Sequence, residues 1–412
     1  MNRAVRRLWV WGALVLCPVL IPAQGQLVLR PATADAGFPA EALKDSAVWE
    51  TPAFLSGWRA AGANAGEAFR TFRGKCQVFG RVAHGAHGRF ENGRLESVTI
   101  VVLDSGAWFG FVPNAEAKTV AATKGPQFVA LYKQTVADVE RGLAGLAGGP
   151  GRKVPFVDKG VLKHDAQIFH CGNLWARLVT RENQLVKITV TRSEAEAVNH
   201  LSAMRRTAKK DEQARLFAAR VKTAESGDRL LGEVPVFVQG DRAYCGVATL
   251  AMAMQFLGLR LDTEDYAAGA GIRFGSTYHS NIREVIDASA VLANVKLPRT
   301  TQFEFARAKA CIDAGLPVLV FRWWSQERDF IHSAFAKRFA GEPAATLPKP
   351  DPNDRKSWPA RDDFAHSSLI TGYNAARREV IFTESWGEFS RNRRMRIEEM
   401  EGTAYIAYYP RL

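Results

Sequence analysis

Cysteine and histidine are scarce in this chain. Its 412 residues include 5 cysteines and 8 histidines. No two cysteines form a Cys-x-x-Cys pair, and the histidines share no spacing typical of metal ligands. Structural zinc sites use closely spaced Cys and His ligands. The sequence therefore predicts no metal site.

Long apolar runs are also rare. The best candidate is residues 8–22, which follow three arginines and precede small residues. This run is shorter than the about 20 apolar residues that a transmembrane helix needs. A basic, then apolar, then small-residue order is typical of a secretory signal peptide. We expect residues 1–25 to be such a signal and the mature protein to be periplasmic or secreted, without a stable membrane anchor.

An acidic excess is absent, since the formal net charge is +13. A basic protein attracts acidic partners, but the basic residues are scattered and show no aromatic-basic repeat of a nucleic-acid module. We therefore predict a solvated basic surface and no nucleic-acid partner. The hydrophobic content of 47% and charged content of 24% are those of a globular protein with a core.

Four cysteines remain after residues 1–25. An exported chain permits a disulfide, and only Cys76 and Cys171, both in the N-terminal half, are considered as a pair. Two separate buried thiols fit the sequence as well. Cys311 is expected to lie in the core, on a helix that spans residues 305–315.

The N-terminal half alternates strand-like and helical segments. Two β-rich runs within residues 76–103 are joined through an Asn-Gly step, which is typical of a hairpin. A helical pattern follows at about 127–146. A second hairpin is predicted over 174–191, and a long helix from Ser193, whose hydroxyl can cap it. This order predicts a small α+β domain of two ββα units.

The predicted domain organisation places an irregular lead-in at residues 26–74 and the α+β domain at 75–205. Residues 206–233 are rich in charge and are interpreted as a helical connector. The second domain covers 234–412. The overall class is therefore predicted to be α+β.

Cys245 is the candidate nucleophile. Apolar residues recur after it at helical spacing, so it lies in the first turn of a predicted helix. The unpaired amides and the dipole of a helix N-terminus favour an anion, such as a thiolate. Gln239 lies six residues upstream, and its amide can join the Cys245 N–H as a second donor of an oxyanion hole.

His366 is the candidate base. It directly precedes a predicted strand over 367–373, and a turn leads to a returning strand over 379–383. Glu384 follows that strand, and Ser-Trp-Gly comes next. Because adjacent antiparallel strands bring their ends together, the Glu384 carboxylate can orient the imidazole. Asp362 or Asp363 could take the place of Glu384.

These four residues in this order resemble the papain superfamily of cysteine peptidases. The Tyr-Cys-Gly-x-Ala-Thr and His-Ser-x-Leu-Ile-Thr-Gly-Tyr patterns are more similar to bacterial double-glycine (bacteriocin-processing-type) peptidases. The resemblance covers residues 234–410 and implies a papain-like fold, with Cys245 on a helical side and His366 and Glu384 on an antiparallel β side. The chain departs from those relatives at Val247, where Pro is usual, and at Glu384, where Asn or Asp is usual.

The resemblance implies a thiol protease that hydrolyses peptide or amide bonds without a cofactor and acts on a peptide or protein. Two alternatives stay open: acyl transfer to an amine, as in transglutaminases, and an inactive binding or inhibitory module. The N-terminal domain could be a propeptide, a substrate-binding module or a docking unit. The long polar segment 325–363, directly before His366, is expected to cover one side of the groove.

Overall fold

The computed structural model describes residues 37–58, 67–113, 115–232, 234–274, 281–342, 345–348 and 353–412. The predicted signal peptide lies outside the described residues. The described chain forms two large antiparallel sheets with helices packed against them. The predicted α+β class is confirmed.

The first sheet belongs to the N-terminal half. The strands of this half are β1 (Glu67–Thr71), β2 (Gln77–Val78), β3 (Arg81–Val82), β4 (Gly85–Glu91), β5 (Arg94–Asp104), β6 (Arg152–Val157), β7 (His164–Cys171), β8 (Leu174–Arg181) and β9 (Leu185–Thr191). Seven of them form one sheet in the order β1-β4-β5-β9-β8-β7-β6, while β2 pairs with β3. The β4–β5 hairpin turns at Asn92-Gly93, both at positive φ, as the Asn-Gly step predicts.

The helices of this half are α1 (Pro52–Ser56), α2 (Ser105–Phe109), α3 (Ala117–Ala147), α4 (Glu194–Val198), α5 (Ala203–Thr207) and α6 (Lys210–Ala218). Helix α3 contains the predicted helix at 127–146 and ends at Gly148, whose φ of 72° is left-handed. The predicted ββα repeat is incomplete, because β6 and β7 extend the second hairpin to four strands. Pro155 and polar residues interrupt the apolar pattern of β6 and β7, so the sequence does not predict these strands.

The long helix predicted from Ser193 is wrong. Ser193 does cap α4, since its hydroxyl accepts from the Glu196 N–H at 3.3 Å, but Asn199 has extended backbone and ends that helix after five residues. Ser202 then caps α5 by accepting from the Arg205 N–H at 3.4 Å. Side chains that bond locally to the backbone favour helix starts over helix interiors.

The second sheet carries the C-terminal half. Its strands are β10 (Val221–Thr223), β11 (Arg229–Leu231), β12 (Arg299–Thr300), β13 (Val318–Trp324), β14 (Phe364–Asn374), β15 (Glu379–Thr383), β16 (Arg393–Arg396) and β17 (Ala404–Tyr408). The order is β10-β11-β14-β13-β17-β12, and β15 pairs with both β14 and β16. The predicted helical connector at 206–233 therefore contains a hairpin, β10–β11, which turns through Gly227 at φ 82°.

Helices cover this sheet. They are α7 (Cys245–Phe256), α8 (Thr263–Gly269), α9 (Ile282–Leu292), α10 (Phe305–Asp313), α11 (Gln326–Gly341) and α12 (Ile397–Thr403). Helix α7 packs on β13 and β14, and its residues from Val247 to Phe256 are all buried. A helix that is apolar on all sides is a core helix, so the Cys245 end of α7 is fixed by the surrounding packing.

One hydrophobic core cluster spans the two halves, and a second lies within the N-terminal half. Phe69, Phe156 and Leu162 of the N-terminal half belong to the same buried cluster as Phe237 and Leu250 of the C-terminal half. A buried ion pair also crosses between them, because Lys187 of β9 contacts Asp262 at 2.8 Å and Asp265. Burial alone would lower the pKa of Lys187, but the two carboxylates raise it above its usual value.

We expect Lys187→Ala to lower the free energy of unfolding by about 3–5 kcal/mol, because it leaves two buried carboxylates without their cation. Urea unfolding followed by circular dichroism measures the loss. The matched control is Lys153→Ala, which removes an exposed pair with Asp165 on the same sheet and should cost less than about 1 kcal/mol. Equal losses in the two variants would contradict the buried pair.

Candidate active site

Cys245 is the first residue of α7, as the sequence predicts. Its side chain lies at the end of the helix where backbone N–H groups have no intrahelical carbonyl. The residue is half-buried, and its thiol lies close enough to His366 for the histidine to lower the thiol pKa. The N-terminus of a core helix thus presents a sulfur to a histidine of the neighbouring sheet.

His366 and Glu384 meet at the ends of two paired strands. His366 lies near the start of β14, and Glu384 directly follows β15, the strand that pairs with β14. The His366 Nε2 atom is 2.9 Å from Glu384 Oε2. This contact leaves the other ring nitrogen, Nδ1, for the thiol of Cys245. The predicted proximity of the two side chains is confirmed.

The electrostatics of the site favour a thiolate–imidazolium pair. Burial would raise the pKa of Cys245, but the bond to His366 and its charge outweigh burial and lower this pKa below its usual value. Burial would likewise lower the pKa of His366, but the charge of Glu384 and the contact with Cys245 raise it to about 9. Each partner therefore stabilises the charged form of the other.

Glu384 is completely buried, with 0% of its surface exposed. Burial would raise its pKa, but the charges of His366 and Arg322 lower it to about 2. Its Oε1 atom accepts from Arg322 at 2.7 Å and from the Ser368 hydroxyl at 2.9 Å. The alternative acids Asp362 and Asp363 are exposed. Glu384 is the carboxylate that the fold brings to His366.

Sequence reasoning missed Arg322 and Ser368. Arg322 lies on β13 opposite His366 on β14, and its Nε donates to Ser368 at 2.8 Å. The available signal was a lone charge inside the apolar run of β13. An arginine in a buried strand needs a carboxylate partner, although the sequence does not say which one.

Trp386 packs against His366. Its ring stacks on the imidazole at 4.5 Å between centroids and 19° between planes. Trp324, at the end of β13, contacts the Trp386 ring edge at 5.9 Å. Two indoles therefore cover the side of the imidazole that Cys245 and Glu384 do not occupy.

Gln239 lies in the loop before α7, and its side-chain amide is hydrogen-bonded to two neighbouring residues. Its Oε1 accepts from the Ser385 hydroxyl at 2.6 Å, and its Nε2 donates to the Arg242 carbonyl at 3.1 Å. Its backbone N–H also donates to the Ser385 carbonyl at 2.8 Å. An amide NH₂ carries two hydrogens, so one remains for a substrate oxyanion. The oxyanion role of Gln239 stays a prediction.

The segment 325–363 is not a simple loop. It begins with α11, which is capped by Ser325, paired with β16 through Asp329 and Arg393, and paired with α12 through Arg328 and Glu399. Asp329 also accepts from the Trp324 indole at 3.2 Å. The start of the helix therefore buttresses the indoles at the site, while the predicted cover of the groove stays a prediction.

The other described cysteines differ from Cys245. Cys76, Cys171 and Cys311 are buried and form no disulfide. Burial raises their pKa values to about 12, 11 and 11. Buried apolar surroundings make a thiol inert, so the lowered pKa distinguishes Cys245.

The described ranges contain no group of three or more His, Cys, Asp or Glu side chains that could hold a metal ion. Within the same ranges, no helix has the length and apolar character to cross a membrane.

Residues 231–411 match the Peptidase_C39 like family. This segment is similar to papain-like cysteine peptidases. It is less than half of the chain and contains all four predicted site residues. A C39-like peptidase from Bacillus anthracis is 18% identical, and the alignment covers 44% of this chain and 97% of that chain with a TM-score of 0.29. No curated protein matches.

The pH dependence of Cys245 alkylation tests the ion pair. Because the pKa of Cys245 is lowered and that of His366 is raised, the rate at which iodoacetamide labels Cys245 should fall less between pH about 8 and pH about 6 than the rate for a free thiol of pKa about 8.5. Glu384→Gln removes the charge that holds the imidazolium. In this variant labelling at pH 6 should fall about tenfold or more, as the thiol pKa returns toward its usual value.

Labelled peptides identified by mass spectrometry give the rates. Glu401→Gln, an exposed glutamate, is the matched control and should label like the wild type. An unchanged pH profile in Glu384→Gln would show that Glu384 does not support the pair.

Proposed function

We propose that this protein is an exported cysteine peptidase that hydrolyses peptide or amide bonds of a peptide or protein substrate. The observation that carries the proposal is the chain of contacts from Cys245 to His366 to Glu384, in which the thiol pKa is lowered and the imidazole pKa raised. The similarity of residues 231–411 to C39-like peptidases supports it. The signal-like pattern of residues 1–25 supports export.

The first half of the reaction is acylation. The Cys245 thiolate attacks the amide carbonyl carbon, and the carbonyl oxygen becomes an oxyanion. The Cys245 N–H at the start of α7 and the second Nε2 hydrogen of Gln239 stabilise this charge. The tetrahedral intermediate expels the amine, which takes a proton from the His366 imidazolium. The product is a thioester on Cys245.

The second half is hydrolysis of the thioester. His366, now neutral, accepts a proton from water while the water oxygen attacks the thioester carbon. Collapse of the second oxyanion releases the carboxylic acid and restores the thiolate, and the proton returns the imidazole to its charged form. Glu384 keeps the ring oriented throughout, because Arg322 and Ser368 hold its other oxygen. No cofactor takes part in these steps.

The scissile bond has to lie between the start of α7, which carries Cys245, and the start of β14, which carries His366. The resemblance to double-glycine peptidases extends to the residues around Cys245 and His366, but Val247 and Glu384 depart from it. We therefore propose peptide-bond cleavage without assigning a double-glycine leader as the substrate.

Turnover of fluorescein-labelled denatured casein tests the activity. We expect the wild type to release short peptides and Cys245→Ala to release none, because the variant lacks the nucleophile. Mass spectrometry of the products, with and without glycine ethyl ester, separates hydrolysis from transfer. Ester-capped termini as the main product would favour the transferase alternative. A wild type with neither turnover nor rapid Cys245 alkylation would support the inactive binding module.

Gln239→Ala tests the oxyanion donor. Loss of one such donor lowers kcat by about 10²–10³, while iodoacetamide alkylation, which forms no oxyanion, should keep its wild-type rate. Gln302→Ala, an exposed glutamine, is the control for a glutamine substitution and should retain full turnover. Equal kcat values for the two variants would remove Gln239 from the mechanism.

A further inference from the structure

The turn that carries Gln239 is held by the arginine within it. Arg242 donates to the Gln239 carbonyl at 2.7 Å and to the Val238 carbonyl at 3.1 Å. Its guanidinium also lies over the Tyr244 ring, 4.5 Å from the centroid. One side chain therefore fixes the backbone that enters the turn and also packs on Tyr244, the residue before Cys245.

The N-terminal sheet supplies the partner of this arginine. Asp104, the last residue of β5, is 3% exposed and accepts from Arg242 at 2.9 Å. The same Asp104 oxygen accepts from the Ala107 N–H at 2.8 Å, which fixes the carboxylate at the start of α2. Glu264 of α8 is the other carboxylate on Arg242, at 3.1 Å.

A second contact joins the same two places. The backbone of Gly106, two residues after Asp104, packs directly against Tyr244, since a Cβ atom there would lie 2.0 Å from the tyrosine hydroxyl oxygen. Tyr244 is completely buried and precedes Cys245. The corner of the N-terminal sheet thus touches both Arg242 and the residue next to the nucleophile.

We propose that Asp104 is a positioning residue for catalysis: through Arg242 it sets the orientation of the Gln239 turn that completes the oxyanion hole. The N-terminal domain is then a permanent part of the catalytic unit rather than a removable propeptide. This inference rests on the proposed function, because it assigns the support of the oxyanion hole to a residue outside the segment that resembles peptidases.

The shared core gives independent support. One buried cluster contains residues of both halves, so removal of the N-terminal half would expose apolar side chains of the C-terminal half to water. Lys187 of the N-terminal sheet also neutralises two buried carboxylates at the start of α8, and the neighbouring Glu264 is the second partner of Arg242. Removal of the N-terminal domain would leave Arg242, Asp262 and Asp265 without these partners.

Two reactions of Cys245 separate positioning from general damage. Iodoacetamide alkylation needs only the thiolate, whereas acylation by p-nitrophenyl acetate passes through an oxyanion. In full-length Asp104→Asn we expect alkylation within about twofold of the wild type. Acylation should fall about tenfold or more, as loss of a charge-assisted hydrogen bond predicts. With casein, kcat should fall while KM stays nearly constant.

Asp138→Asn is the matched control, since Asp138 pairs with Arg81 in the same domain without contacting the turn. It should leave both rates unchanged. If Asp104→Asn does not fold, Arg242→Lys keeps a cation beside Asp104 but cannot reproduce the donors to Val238 and Gln239, and the same split between the two rates is expected.

The outcomes are distinct. Unchanged acylation in Asp104→Asn, or an equal loss of both rates in the folded variant, would overturn the positioning role. A wild type whose Cys245 reacts as an ordinary thiol would instead overturn the proposed function.

A protease site placed at 207–209, between α5 and α6, tests whether the N-terminal domain stays part of the catalytic unit. After cleavage the two pieces should co-elute with acylation intact. An active C-terminal piece that elutes alone would contradict this inference.

Discussion

The arrangement of the candidate active site depends on one buried carboxylate, that of Glu384. Glu384 is completely buried yet ionised, which is possible only because Arg322, Ser368 and His366 satisfy its two oxygens. The ionised carboxylate favours a protonated imidazole, and the imidazolium in turn lowers the pKa of the Cys245 thiol. These contacts depend on the strand order, since β13, β14 and β15 must lie side by side for the arginine, the histidine and the glutamate to meet.

The parts of the site that the sequence predicts are those decided over short distances along the chain. Cys245 is located by the helix that starts with it, and His366 meets Glu384 because a short turn joins their strands. Arg322 could not be assigned, because the pairing of β13 with β14 spans the long 325–363 segment. The side chain of Gln239 was placed only in part, because its amide is oriented by Ser385, far away in the sequence.

The N-terminal half was harder to predict for a related reason. Its hairpins and α3 follow local signals, such as Asn92-Gly93 and Gly148. The helix predicted from Ser193 is interrupted between α4 and α5 because Asn199 and Ser202 offer the backbone local partners, a competition that periodicity does not measure. The contacts of Asp104 and Lys187 with the second half depend on tertiary packing alone, since a buried charge in a strand does not reveal its partner.

The crossing ion pairs also bear on how such a chain can change over evolutionary time. Recombination after α6, before the β10–β11 hairpin, would give a gene that encodes the whole segment that resembles peptidases. That segment would nevertheless inherit Arg242, Asp262 and Asp265, whose counter-charges Asp104 and Lys187 are encoded upstream. A new N-terminal domain would therefore have to place a carboxylate beside Arg242 and a basic side chain beside Asp262 and Asp265. The two halves can be divided in the sequence, but their ion pairs require that they change together.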